Sequence, residues 1–429
     1  MRAHSSPRRQ RGAMIITVAL FLLFLLGFMG IALDFGRLFV ARTELQTAVD
    51  SCALAAANEL NGESTAINRA RSAGQTAGNA NNVNLQSATW SGQGKLIAAD
   101  ITFRDASYAV TTAPASARYA QCTHTQPNIQ IWLMKAMGAF SGDYAGNPST
   151  RSVAANAVAT RGSAQTTCPI PVLVKPKPGG TAPDYGFVRG EWVTLIRAQN
   201  AATGGQIGWA NLNGTSSADE TRDELSGSDC ETRIGDPIGT PGVQASIAEV
   251  WNERFGIYKN SGSPSAGRPD YTGYAYTVTN WPPRAAGAVP NAYDGSPPTG
   301  APASAQNFVT KRAAYASCDD TGASLNGCET RTGLSLNSFQ KLAAPGNVAG
   351  GHKQYGMDRR IVTAPVVDGS SHVIDYLCFL MLQPLQIPMS DTQLEYLGNA
   401  GVVSPTSSPC TTSGLPGGSA GPLVPVLVR

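Results

Sequence analysis

Ala13–Leu33, AMIITVALFLLFLLGFMGIAL, contains no charged residue and limits the fold more than any other stretch of the chain. As a helix rising about 1.5 Å per residue it is about 31 Å long, the thickness of a bilayer hydrocarbon core. A helix apolar on every side has no face to present to water. No other segment reaches eighteen consecutive apolar residues, so the sequence predicts a single crossing at most. Arg2, Arg8, Arg9 and Arg11 precede the run, whereas Asp34, Arg37, Arg42 and Glu44 follow it with mixed sign. Positive flanks stay cytoplasmic, which predicts a cytoplasmic tail (1–12), a transmembrane helix (13–33) and the remaining chain outside, with Arg8, Arg9 and Arg11 setting topology. The competing reading is a cleaved secretory signal, because Gly30-Ile31-Ala32 loosely resembles a small-x-small cleavage site. The run exceeds the usual length of about 7–15 residues for a signal, which favours an anchor.

Charge and cysteine usage agree with that placement. Only 14% of residues are charged, and the net charge of +3 belongs to the tail, since without its four arginines the chain carries −1. A basic surface for nucleic acid is therefore not expected. All eight cysteines lie beyond the apolar run, in a compartment where disulfides persist. There is no Cys-x-x-Cys, and the four histidines (4, 124, 352 and 372) are far apart, so no zinc-ligand spacing is present. Cys318 and Cys328 enclose a Gly/Asp/Asn-rich loop and form a candidate disulfide, whose closure would contribute about 2–3 kcal/mol. The other pairings stay open.

From Asp34 to Leu60 helix formers continue, without proline and with Gly36 the only glycine, until Asn61-Gly62 stops the helix. Leu38, Leu45 and Cys52 recur every seven residues, and Ala41, Ala48 and Ala55 fill the complementary positions. A helix over 13–60 would be about 72 Å long, with about 40 Å beyond the bilayer (34–62). Its small-residue seam suits close packing, against a partner helix or against the chain's own external domain; Ala32 and Gly36 add a weaker contact.

These residues carry a family resemblance. The RRQRG start, the LDFGRLFVARTELQ run after the apolar segment, and the Ala-rich helix with Asp50 and Ala55–Ala57 resemble the N-terminal module of TadE/TadG-like proteins of Flp (Tad, type IVc) pilus assembly, most strongly over 8–60. Three later segments, 208–214, 239–242 and 251–258, also look like parts of Tad-type proteins. The resemblance implies an inner-membrane protein whose periplasmic part serves pilus biogenesis, with other assembly proteins or pilin subunits as partners. Two departures matter. Prepilin-type cleavage follows a glycine with glutamate five residues on; here Gly12 is followed by Thr17 at that position, which makes processing doubtful. The Asp-x-Ser-x-Ser metal motif of a von Willebrand A domain, carried by some relatives, does not occur.

The external part reads as α+β. A small α+β unit is expected over 63–165, with strands at Lys95–Phe103, Ser107–Thr112, Ala117–Thr123 and Arg151–Thr160 and a short helix at Ile129–Phe140. Over 168–429 a β-rich, disulfide-containing domain with Pro/Gly-rich loops is expected. Its strands fall at Pro171–Val174, Glu191–Arg197, Tyr271–Trp281, Ile361–Val367, His372–Gln383 and Leu423–Arg429. Helix is expected only at Gln244–Phe255, and 260–308 reads as a surface excursion. The repeats Cys230-Glu-Thr-Arg and Cys328-Glu-Thr-Arg suggest equivalent turns or coincidence.

No chemistry assembles from the motifs. Gly417-Gly-Ser419-Ala-Gly421 matches a nucleophile pattern but follows the last histidine, against the order a hydrolase triad needs. Acidic residues cluster at 219–231 and at Asp319, Asp320 and Glu329 without EF-hand spacing. Nucleotide-binding glycine motifs are absent. The sequence therefore predicts a membrane-anchored, non-enzymatic assembly component with no cofactor, metal or evident small-molecule substrate. A surface-displayed minor pilin or adhesin is the first alternative, and an anchored periplasmic hydrolase the second.

Overall fold

A 48-residue helix, α1 (Arg11–Asn58), runs unbroken from the apolar segment into folded protein. The structure, a computed structural model, describes residues 11–132, 142, 149–198, 201–227, 230–240, 245–281, 289–295, 306–314, 318, 324–401 and 408–428. These form two units. The described residues up to Arg161, with the segment from Pro425 onward, make the first, and Gly162–Val424 makes the second. The combination is mixed α+β, with four disulfides.

In the first unit α1 packs on α2 (Ala66–Asn79) and on a sheet of β1 (Ile101–Arg104), β2 (Tyr119–Gln130), β3 (Thr150–Ser163) and β12 (Leu423–Leu427), in the order β1-β2-β3-β12. The sheet pairs antiparallel from Ile101↔Cys122 through Cys122↔Ala157. Alternation with period two turns Ala120 and Cys122 of β2, and Ala155, Ala157 and Ala159 of β3, toward the core. A face of alanines lets α1 approach closely, and Trp90, Phe103 and Leu96 fill the space around it.

Several expectations for this region are corrected. Residues 66–79, to which the sequence reading assigned no element, are helical. Of Lys95–Phe103 only Ile101–Phe103 is strand, and Ser107–Thr112 contributes just the bridge Arg104↔Val110. Ile129 and Gln130 end a twelve-residue strand rather than starting a helix; most of Ile129–Phe140 lies outside the described residues.

The second unit is built around a closed six-stranded barrel. Its strands are β4 (Val172–Val174), β5 (Trp192–Ile196), β6 (Ile207–Trp209), β9 (Ile361–Val367), β10 (Val373–Met381) and β11 (Thr392–Asn399), in the order β10-β11-β5-β6-β4-β9. Val172, Val174, Leu195, Ile207, Ala364, Leu377, Phe379 and Leu394 are all 0% exposed and fill its interior. β10, VIDYLCFLM, is buried on both faces, which is why it reads as a continuous apolar run. A two-stranded sheet of β7 (Ile257–Tyr258) and β8 (Lys341–Leu342) lies outside the barrel.

Helix is not confined to α4 (Ala245–Glu253): α3 (Ala218–Ser226), α5 (Phe308–Ala314) and α6 (Leu325–Thr332) also form. Of the acidic cluster at 219–231, Asp219, Glu220, Asp223 and Glu224 are therefore helical, Glu231 lies in irregular chain, and Asp229 falls outside the described residues. Asp219 and Glu220 sit in the first turn of α3, where the helix dipole favours them, and Gly227 closes it at φ 91°. Tyr271–Trp281 forms no strand, yet Thr272, Tyr274, Ala275 and Tyr276 are fully buried, so this part of 260–308 is not a surface excursion. The Cys-Glu-Thr-Arg echo is not structural, because Cys328 lies in α6 and Cys230 in irregular chain.

The sequence left three disulfides open; they join Cys52 to Cys122, Cys168 to Cys230 and Cys378 to Cys410, beside Cys318–Cys328.

Candidate helix-packing site

α1 changes character once along its length. From Met14 to Val40 its large apolar side chains are mostly exposed, Phe39 by 73%. Beyond that point Ala41, Leu45, Ala48, Val49, Cys52, Ala53, Ala56 and Ala57 are 0% exposed. Of the seam predicted from the sequence, Ala41, Leu45, Ala48 and Cys52 are buried within their own unit, whereas Leu38 and Ala55 are half-buried. The shift has a geometric cause. A straight helix of 3.6 residues per turn drifts about 20° per heptad from a 3.5-residue repeat, so the buried stripe moves from Ala55 to its neighbours. Burying Leu45 alone is worth about 1.5–3 kcal/mol.

The seam is occupied by α2, whose own small residues make the approach possible. A Cβ on Gly74 would meet Cys52 O at 3.0 Å and Ala56 Cβ at 3.1 Å. One on Gly78 would lie 3.1 Å from both Ala48 O and Cys52 Cβ and 2.4 Å from Leu96 Cδ1. The Cys52–Cys122 disulfide then ties α1 to β2 at a Cα separation of 6.2 Å.

Polar clamps flank the seam. The Glu44 carboxylate accepts from Leu85 N (2.8 Å), Gln86 N (3.0 Å) and Gln86 Nε2 (2.9 Å). Gln46 Nε2 donates to Asp50 Oδ1 (2.7 Å) and to Asn156 O (3.1 Å). Past the helix end Arg161 Nη1 donates to Leu60 O at 3.3 Å, and burial lowers the pKa of that guanidinium. Arg69 bridges Glu59 and Glu63, both at 3.0 Å, in a half-exposed setting that adds little stability.

At the other end of the buried stripe Asp34 is 5% exposed, and its Oδ1 accepts from Trp132 N at 3.3 Å. The Arg37 guanidinium carbon lies 4.7 Å from the centre of the Trp132 ring. Trp132 belongs to the apolar patch that the sequence reading assigned to a helix; as a residue just past the end of β2 it is a feature that reading missed. Arg8 and Arg9 lie outside the described residues. Arg11 and Gly12 open α1, and Thr17 lies within it, on the exposed part.

Residues 12–59 match the Tad family, Flp pilus-assembly TadE/G-like. The matched segment coincides with α1 almost end to end. No curated protein and no solved structure matches the chain.

Outside the Tad segment the second unit holds buried ionisable groups. Arg360 is 0% exposed and lies 4.0 Å from the Phe255 ring centre. Its guanidinium donates to the carbonyls of Met381 (2.7 Å), Tyr274 (2.6 Å), Leu382 (3.2 Å) and Thr272 (3.4 Å). Asp270 Oδ2 accepts from Arg360 N at 3.2 Å, and burial raises its pKa. His352 Nδ1 lies 3.2 Å from Asp270 O, and burial pushes this imidazole down to about 4. Arg360 and Asp270 are sealed and spend these hydrogen bonds on backbone, whereas the buried His352 Nε2 has no hydrogen-bond partner among the described residues.

Glu395, also 0% exposed, accepts from Trp192 Nε1 (3.0 Å), Tyr293 N (2.9 Å) and Ala292 N, and burial pushes it up to about 7. Ser419 of the nucleophile-like motif lines a cavity of about 340 Å³ with Thr232, Arg233 and Tyr376; the lining contains no histidine or carboxylate to serve as base. Among the described residues no three His, Cys, Asp or Glu side chains group to hold a metal.

Proposed function

We propose that the chain is a bitopic inner-membrane component of the Flp/Tad pilus-assembly machinery that works by protein–protein contact. Ala13–Leu33 crosses the bilayer, Arg8, Arg9 and Arg11 stay on its cytoplasmic side, and residues from Asp34 onward occupy the periplasm, where the cysteines oxidise. The observation that carries this reading is the continuity of α1: an exposed apolar half and a buried half in one rod, coincident with the Tad match. Because the first unit is built onto the rod, the anchor fixes where that unit stands. Leu45, Ala48 and Cys52 act inside the unit. The exposed flank of α1 and the outer surfaces of the two units are left for pilin subunits or other assembly proteins. Nothing in this reading calls for catalysis.

Deleting the gene from a piliated host tests the role. The full chain should restore pili. Residues 34–429 released into the periplasm behind a cleavable signal should not. Pili in the deletion strain would refute the assembly role, and pili with the released form would refute the need for the anchor.

A further inference from the structure

The sequence alone lets about 40 Å of helix stand free above the membrane. Instead, the first unit reaches down α1 as far as Asp34, the first charged residue after the apolar run. We propose that Trp132 and Arg37, with Phe35 and Phe39, form a second membrane contact that seats this unit on the lipid–water interface. The inference rests on the anchoring reading above and adds where the folded part lies.

Height along the helix is the first argument. If Leu33 ends the hydrocarbon span, Phe35, Arg37 and Phe39 follow about 3–9 Å further along the axis, within the headgroup layer. Phe35 is 56% and Phe39 73% exposed, in direct continuity with the lipid-facing side chains before them. Trp132 comes from 98 residues further along the chain, yet its backbone N–H on Asp34 fixes it at this height.

Exposure is the second. Trp90, Trp209, Trp251 and Trp281 are at most 3% exposed, and Trp192 is half-buried with its Nε1 bonded to Glu395. Trp132 alone is left 67% exposed. An indole combines apolar area with one N–H donor and gains most where hydrocarbon meets headgroups. Arg37 stacks on it without an ion-pair partner among the described residues, so its guanidinium remains for a lipid phosphate.

The test uses the full chain in vesicles of phosphatidylethanolamine and phosphatidylglycerol carrying a spin-label quencher either near the headgroup or at the chain end. With the shallow quencher the wild type should lose on the order of one-sixth of its emission, the share of one of six tryptophans. Trp132→Phe should abolish that loss and still float with the vesicles; an exposed ring exchanged for a smaller ring leaves the core intact. Equal quenching of the two proteins, both floating, overturns the interfacial contact and leaves the anchor standing. Quenching of Trp132 only by the deep label also overturns it. Failure of both to float overturns anchor and contact together.

Discussion

Replacing Gly78 of α2 probes the helix seam most sharply. Carbon–carbon contacts sit comfortably at about 3.5–4.0 Å. A Cβ at this position would lie 3.1 Å from Ala48 O and from Cys52 Cβ, and closer still to Leu96 Cδ1. Leu96 can turn away, but the carbonyl and the Cβ belong to the backbone and disulfide end of α1 and cannot. Overpacking of this kind costs about 1–3 kcal/mol, against a return of about 1 kcal/mol from exchanging glycine for a better helix former. Gly78→Ala should therefore lose about 1 kcal/mol net, and Gly78→Leu, with three further carbons, about 3 kcal/mol. Hydrogen exchange of the amides of Val49–Ala57 in the full chain reads this directly, since a loss of about 3 kcal/mol means about 150-fold faster opening. Ser72→Leu on the exposed side of α2 is the control and should leave the rate unchanged. If Gly78→Leu exchanged as slowly as wild type, α1 and α2 would not meet as described.

Three other outcomes follow from the same structure. Cys52→Ser with Cys122→Ser releases a loop of sequence separation 70, and the chain-entropy argument sets the loss at about 4 kcal/mol, read from the denaturant midpoint. For Glu395, whose folded pKa of about 7 lies above its ordinary 4.5, the stabilisation is complete below about 4.5 and is lost as pH rises through about 7. Wild-type thermal stability should therefore fall between pH 5 and pH 8 relative to its own value at pH 5, and Glu395→Gln should show less of that fall. Replacing Arg8, Arg9 and Arg11 with glutamate should invert or scramble topology in a reporter-fusion assay while the helix still inserts.

How much of this was legible depended on contrast between residue types. α1, β9, β10 and α4 stood out because long apolar or periodic runs leave little choice of structure. α2 did not, because apart from Ile67 the face it buries is Ala66, Ala70, Gly74 and Gly78 at a spacing of four, and small residues give little hydropathy contrast. The seam on α1 was readable, but not its occupant: Leu45, Ala48 and Cys52 suit any closely approaching helix, and only the fold shows that α2 fills the place. Residues 271–281 read as a strand within a surface excursion, whereas the chain there is irregular and Thr272, Tyr274, Ala275 and Tyr276 are fully buried. They are buried because one guanidinium, Arg360, satisfies the carbonyls of Thr272 and Tyr274 that a strand would otherwise have paired. The acidic run Asp219–Glu224 is helical with two carboxylates in its first turn and a left-handed glycine, Gly227, after its last. Trp132 was hidden by its apolar neighbours, and its meaning comes from a backbone contact to Asp34 across 98 residues.

The claim on which the rest depends is that Ala13–Leu33 remains in the chain and holds everything after it on the far side of the inner membrane. Protease treatment of spheroplasts from cells making a C-terminally tagged protein, with the intact mass of the membrane-extracted product, tests it most directly. The account predicts a membrane-bound species that keeps its N-terminal arginines and loses its tag to protease added outside. A soluble periplasmic product lacking the apolar run, or a tag that stays protected until the cells are lysed, would contradict it.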